Sequence, residues 1–238
     1  MGFFDMFLSE EGRIQKNQRT ITNRDVQPED RDAAAQWLGS NGSPKALVAL
    51  LTRFDMNLEN QLKDKKEKEV VYSLLQKAGD ATIRPLERHL ERCRQVAIPL
   101  RLHVELKGEQ AAVTKVLSIL ELERAKDDFK PQKKVDLLVW LVDRRHPHAI
   151  EAVTPLLEDF DENVRYAAME VIAAQQDDAG RFPLETVLRN QAEESNRLRI
   201  RVAELFVQRR WPIADAAAVE AGMPPGYRIV DGRLTAER

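Results

Sequence analysis

Asn163-Val164-Arg165-Tyr166-Ala167-Ala168-Met169-Glu170-Val171-Ile172 and Arg197-Leu198-Arg199-Ile200-Arg201-Val202-Ala203-Glu204-Leu205-Phe206 align without a gap at an offset of 34 residues. In each, a basic residue precedes a small or apolar one three positions on and then an apolar pair. Working outward, Lys134 precedes Leu137, Leu138, Trp140 and Leu141, and Arg101 precedes Val104 and Leu106. Lys68 precedes Val70, Val71, Leu74 and Leu75, and Arg31 precedes Ala34, Ala35, Trp37 and Leu38. The six basic residues are spaced by 37, 33, 33, 31 and 34 positions. Self-similarity at a fixed period in this range marks a stacked repeat architecture, in which one unit cannot bury its apolar face alone.

A second pattern interleaves with the first. Pro44-Lys45-Ala46-Leu47 leads into Val48, Leu50 and Leu51, and Pro147-His148-Ala149-Ile150 leads into Val153, Leu156 and Leu157. Ile83, Leu86 and Leu90, then Val113, Val116, Leu117 and Leu120, then Leu184, Val187 and Leu188 repeat the three- and four-residue steps of a buried helical stripe. Pro44, Pro147 and Pro183 suit a first helical turn, where the missing N–H costs nothing. The expected outer helices are 44–55, 80–92, 109–124, 147–158 and 183–193. The expected inner helices are 64–78, 97–107, 131–143, 162–174 and 196–209, preceded by a half repeat at 28–39. Low glycine (10 residues) and 6% aromatic residues favour helix over sheet. After Trp211-Pro212 the pattern changes: a short Ala-rich helix near 213–221, then Tyr227–Val230 and Arg233–Thr235 around Asp231-Gly232, a tight hairpin signal. The expected organisation is an N-terminal helix in 1–27, the repeat array in 28–210 and a capping tail in 211–238.

The segment from His146 to Gln175 resembles a HEAT repeat. Pro147 and Ala149-Ile150 stand in its first helix, Pro155-Leu156-Leu157 near that helix's end, Asp161 in the turn, and Val164-Arg165-Tyr166-Ala167-Ala168 at the start of the second. The resemblance extends over roughly 28–210 and departs from the pattern at Ser195, where an aspartate is expected, and at Pro99 near an inner helix. It implies an all-α fold, a right-handed α-α superhelix of about five HEAT-type helical hairpins with a short C-terminal hairpin-like tail. It also implies a ladder in which a turn acid such as Asp161 pairs with a basic residue such as Arg165.

The function expected of such an array is a non-enzymatic scaffold that binds a partner protein, an acidic or extended segment, on the concave surface of the inner helices. Lys68, Arg101, Lys134, Arg165, Arg199 and Trp140 are the candidate contacts; the same basic residues could instead tie neighbouring repeats together. Lys65, Lys66, Lys130, Lys133, Arg197, Arg201, Arg209 and Arg210 thicken the stripe, but Asp64, Glu67, Glu69 and Glu170 intersperse it with acid. A net charge of -2, from 37 basic and 39 acidic residues, offers no overall field for nucleic acid or anionic lipid. Two other readings remain open: nucleic-acid binding or a HEAT-like DNA glycosylase, to which Trp140 with Asp143 and Arg144 is similar, and an accessory lyase-type subunit acting on a cofactor-bearing protein.

No resident cofactor or metal is expected. One cysteine, Cys93, makes neither an internal disulfide nor a cysteine-rich zinc site, and fits a reducing, cytoplasmic setting. Arg92 and Arg94 could activate its thiol. His146-Pro147-His148 has the spacing of a weak chelate. A Gly-x-Ser-x-Gly elbow, an HExxH run and a phosphate loop are all missing. No run approaches the ~20 apolar residues of a membrane span. The Phe3, Phe4, Phe7, Leu8 cluster is too short for one; it reads as a helix docking on the first repeat or as a foot for a partner or membrane.

Overall fold

The computed structural model describes residues 9–125 and 131–237; the Phe3, Phe4, Phe7, Leu8 cluster and Lys130 lie outside them. The described residues form thirteen α-helices and two short strands. They divide into two compact units, Met1–Lys115 and Val116–Arg238.

The first unit contains α1 (Glu10–Ile21), α2 (Pro28–Asn41), α3 (Pro44–Leu51), α4 (Gln61–Lys77), α5 (Asp80–Leu90) and α6 (Ala97–Lys107). It also holds the start of α7 (Glu109–Arg124), which crosses the boundary between the units. Local chemistry sets the starts. Pro28 and Pro44 open α2 and α3, and the side chains of Ser9, Ser43 and Asn60 accept N–H groups at the first turns of α1, α3 and α4. Pro99 sits buried in the first turn of α6, where an N–H would have no helical partner. Helix α2 packs on α4 and α4 on α6, while α1 packs on α3 and α3 on α5. Gly39 lets α2 approach α4: a Cβ there would lie 2.8 Å from the Leu74 side chain. Leu38, Leu47, Leu50, Phe54, Leu75 and Leu86 are fully buried, each contributing roughly 1.5–3 kcal/mol over exposure.

The second unit contains α8 (Gln132–Val142), α9 (Ala149–Val153), α10 (Glu162–Ala174), α11 (Arg181–Arg189), α12 (Asn196–Arg209), α13 (Ala216–Ala221), β1 (Tyr227–Val230) and β2 (Arg233–Ala236). Helix α10 packs on α8 and α12, and α11 packs on α12. The predicted helix at 147–158 is shorter than expected. Pro147 lies in the preceding turn, and α9 gives way to a 3-10 turn over Thr154–Glu158. Pro155 has no N–H to give the Glu151 carbonyl, so the α pattern stops there. In the tail, Asp231 (φ 50°) and Gly232 (φ 70°) both take left-handed backbone, the requirement of the tight turn that joins β1 to β2. The hairpin packs on α12 through β2, and α13 packs on α11. Trp211 is buried and its indole N–H donates to Asp178 at 2.8 Å. The buried Glu185 carboxylate accepts the Ala214 and Asp215 N–H groups, which fixes the start of the tail.

Among the described residues no helix is long and apolar enough to cross a membrane.

Candidate functional site

The six basic residues of the repeat pattern occupy different environments. Lys134 of α8 is buried, and its ammonium meets Asp159 at 2.5 Å with both side chains 6% exposed. Arg165 of α10 makes a two-pronged pair with Glu193, 2.8 Å on each branch, and also donates to the Asp159 and Phe160 carbonyls. Both acids act twice. Asp159 accepts the Asp161 N–H and Glu193 accepts the Ser195 N–H, so each cation grips the turn that starts the next helix of the α8–α10–α12 row. Burial pushes the Glu193 carboxyl up, but Arg165 and the Ser195 N–H outweigh it and hold the group below the ordinary carboxylate range. Arg199 of α12 has no such acid and donates to the Asn190 and Gly222 carbonyls.

This corrects the expected Asp161–Arg165 pair. Asp161 caps α10, accepting the Asn163 and Val164 N–H groups at 2.9 and 3.2 Å, and Arg165 turns to Glu193 instead. Ser195, which departs from the expected aspartate, performs the same capping for α12 through the Leu198 N–H at 3.1 Å. Either side-chain oxygen serves an N-cap, so the departure leaves the helix start intact.

In the first unit the pattern converges on a buried cluster. Arg31 pairs with Glu67 at 2.7 Å, and Arg53, 1% exposed, donates to Glu67, Asp64 and the Met56 carbonyl. Lys68 ends on Asp64 and Asn57, both at 2.7 Å. Burial pushes the Glu67 carboxyl up, but Arg31 and Arg53 outweigh it and hold it low. Arg53 carried no signal in the sequence, because it lies in a 3-10 turn outside the basic spacing. Of the six pattern residues, Arg101 is the most exposed, about half: it stacks 3.9 Å over the Tyr72 ring and meets Glu69 at 3.1 Å. The six basic residues therefore do not form one exposed stripe, since reaching a partner would require Lys68 and Lys134 to leave buried acids.

Trp140 is half-buried, with the Arg144 guanidinium stacked 3.9 Å over its ring and donating to its carbonyl at 2.6 Å. That face of the ring is covered by the protein itself. The His146 and His148 ring centroids lie 5.7 Å apart, and the His146 Nδ1 accepts the His148 N–H at 3.2 Å. Cys93 is buried, 3% exposed, which removes it from the reach of large reagents.

The α8–α10–α12 row carries an open groove that the sequence did not single out. Val135, Val139 and Val142 of α8 line one side, and Tyr166, Glu170 and Arg197 the other. Val139 is 59% exposed. Arg197 stacks 4.2 Å over the Tyr166 ring and meets Glu162 at 3.3 Å, while Arg201 pairs with Glu170 at 2.8 Å. The groove is apolar along α8 and mixed in charge along α10 and α12. A period-based reading follows buried positions, so an exposed valine within a helix escapes it.

A third grouping lies in the first unit. Asp55, His89 and Cys93 place one ligand-type atom each within 4.8 Å of one another, a carboxylate oxygen, an imidazole nitrogen and a thiol sulfur. The His-x-x-x-Cys spacing was its one trace in the sequence.

No family model matches the chain, and no curated protein is significantly similar to it.

Proposed function

We propose that the chain is a HEAT-type repeat protein acting as a protein-binding scaffold, with an extended segment of a partner lying along the α8–α10–α12 groove. The observation that carries this reading is the apolar side of the groove, exposed Val139 between half-buried Val135 and Val142, set against Tyr166 and Arg197 on neighbouring helices. Exposed apolar side chains beside an aromatic–arginine stack are the composition of protein-binding surfaces. The fixed 34-residue offset supports the repeat reading: Asp159 and Glu193, and Asp161 and Ser195, perform matching tasks one offset apart.

Charge of both signs at the groove favours a protein over a phosphate backbone. Glu162, Glu170 and Glu204 stand among Arg197 and Arg201, and a duplex would be repelled by the three acids. A partner segment would place apolar side chains on Val139 and an acid on Arg197.

Site-specific photo-crosslinking tests this. A benzophenone side chain at 139 should capture a defined protein in source-cell lysate. The same group at 182, where exposed Phe182 sits on α11, should not. Arg197→Glu should abolish capture at 139 while the helical circular dichroism stays unchanged. Equal capture from both positions, or capture that survives Arg197→Glu, would refute the assignment.

A further inference from the structure

The Asp55, His89 and Cys93 grouping belongs to the first unit and takes part in none of the ties described above. Asp55 ends the 3-10 turn Thr52–Asp55 that follows α3. His89 lies in the last turn of α5, and Cys93 follows four residues later. The Cys93 N–H donates to the His89 carbonyl at 2.8 Å, so helical geometry continues past the helix end and puts both side chains on one side. The His89 Nε2 stands 3.7 Å from the Asp55 carboxylate, with the two side chains 8% and 37% exposed. Phe54 and Met56, which flank Asp55, and Leu90 are buried.

We propose that these three side chains form a zinc-binding site. The Cys93 thiolate, the His89 imidazole and the Asp55 carboxylate supply three tetrahedral ligands and a water molecule supplies the fourth. Three arguments carry this. The donor set is sulfur, nitrogen and oxygen, which suits Zn²⁺ and disfavours the hard cations Mg²⁺ and Ca²⁺. Charge closes as well: one thiolate and one carboxylate neutralise a divalent ion, so a nearly buried site carries no net charge. Distance is compatible, because metal–ligand bonds of about 2.0–2.3 Å put tetrahedral ligand atoms about 3.4–3.8 Å apart. The observed separations of up to 4.8 Å close by small side-chain rotations. Binding replaces the thiol proton with the metal: Zn²⁺ and Cys93–SH give the zinc thiolate and one released proton. Asp55, the most exposed of the three, marks the side from which ion and water arrive. The bound ion would clip the turn after α3 to the end of α5, two elements that already belong to the packed α3–α5 pair.

The test uses untagged full-length protein and Co²⁺ as a spectroscopic stand-in for Zn²⁺. One equivalent of Co²⁺ should produce the intense visible bands of a tetrahedral ion and a near-ultraviolet sulfur-to-cobalt charge-transfer band, and Zn²⁺ should displace it. Zn²⁺ should also raise the melting temperature. Cys93→Ser should remove the charge-transfer band. Asp55→Asn, at the exposed ligand, should keep the fold and weaken Zn²⁺ binding at least tenfold, since even groups one shell removed from a metal cost about 10- to 100-fold. Weak octahedral cobalt bands without charge transfer would overturn the proposal. So would unchanged Zn²⁺ affinity in folded Asp55→Asn, which would move the metal to another histidine.

Discussion

Lys134→Met separates a tie from a contact. It keeps the aliphatic stem and removes the charge, leaving the Asp159 carboxylate buried at 6% exposure. Removing one partner of a buried ion pair costs about 3–5 kcal/mol. Asp159 retains the Asp161 N–H, and Arg165 lies near enough for the Asp159 charge to help raise its pKa. The lower end, about 3 kcal/mol, is therefore expected. With a urea dependence of about 2 kcal/mol per molar, this moves the unfolding midpoint down by about 1.5 M. Lys134→Glu should cost more, because it sets a second acid against Asp159. Arg101→Glu is the control: its pair with Glu69 is about half exposed on both sides, and such pairs contribute about 0–1 kcal/mol. Urea titration of wild type and the three variants, followed by circular dichroism, measures all four midpoints. A Lys134→Met midpoint within about 0.25 M of wild type, from the same slope, would refute the reasoning and return Lys134 to the contacts.

Ser195→Ala should destabilise the second unit by about 1 kcal/mol through loss of the α12 cap, read as a lower midpoint; Ser195→Asp should restore only part of it, because its carboxylate would face Glu162, which accepts the Ser195 hydroxyl at 2.7 Å. Gly222→Ala would put a Cβ 2.4 Å from the Leu188 carbonyl oxygen, so α13 and the hairpin should exchange amide hydrogens and yield to protease well before α10 does. Stability should fall with acid in two stages. Burial holds His103 below its ordinary 6.5, against the pull of Glu87. The folded state therefore binds that proton less readily than the unfolded chain, and stability is complete above pH 6.5 and declines below it. Burial pushes Glu67 and Glu193 up but their arginines hold them low, so their contribution is present above 4.5 and is lost as pH falls through the lower folded values. Thermal melts across this range should show both stages, and His103→Phe should reduce the first, leaving the part contributed by His146, which burial also holds below 6.5.

Helix positions were legible because their punctuation is local: Pro44, Pro183 and Asp161 each act within a few residues, whereas the Asn60 cap, not read as one, starts α4 three residues before the expected 64. Two expected helices pass into 3-10 turns: 44–55 does so after Leu51, and α9 stops at another local signal, Pro155, that the apolar stripe overrode. The ties were legible only by half. The spacing of Lys134 and Arg165 is visible in the chain, but their acids stand 25 and 28 residues away, and a helical register uncertain by two residues turns a buried ammonium into an exposed one. Asp55, His89 and Cys93 were harder still, since a 3-10 turn and a frayed helix end meet there without any shared period. The groove valines belong to a helix whose buried stripe was read correctly, and it was their exposure that sequence could not supply.

The ties between Lys134 and Asp159 and between Arg165 and Glu193 run in one direction. Each helix of the row carries a plug for the socket that begins its successor, and each socket arrives with its own plug about six residues later. At α12 the row departs from this, because Arg199 meets a different socket. Arg199 finds it in the main-chain carbonyls of Asn190 and Gly222, the second of which the tail brings into place. The tail therefore supplies one of the two carbonyls that hold Arg199 in place of the carboxylates that hold Lys134 and Arg165.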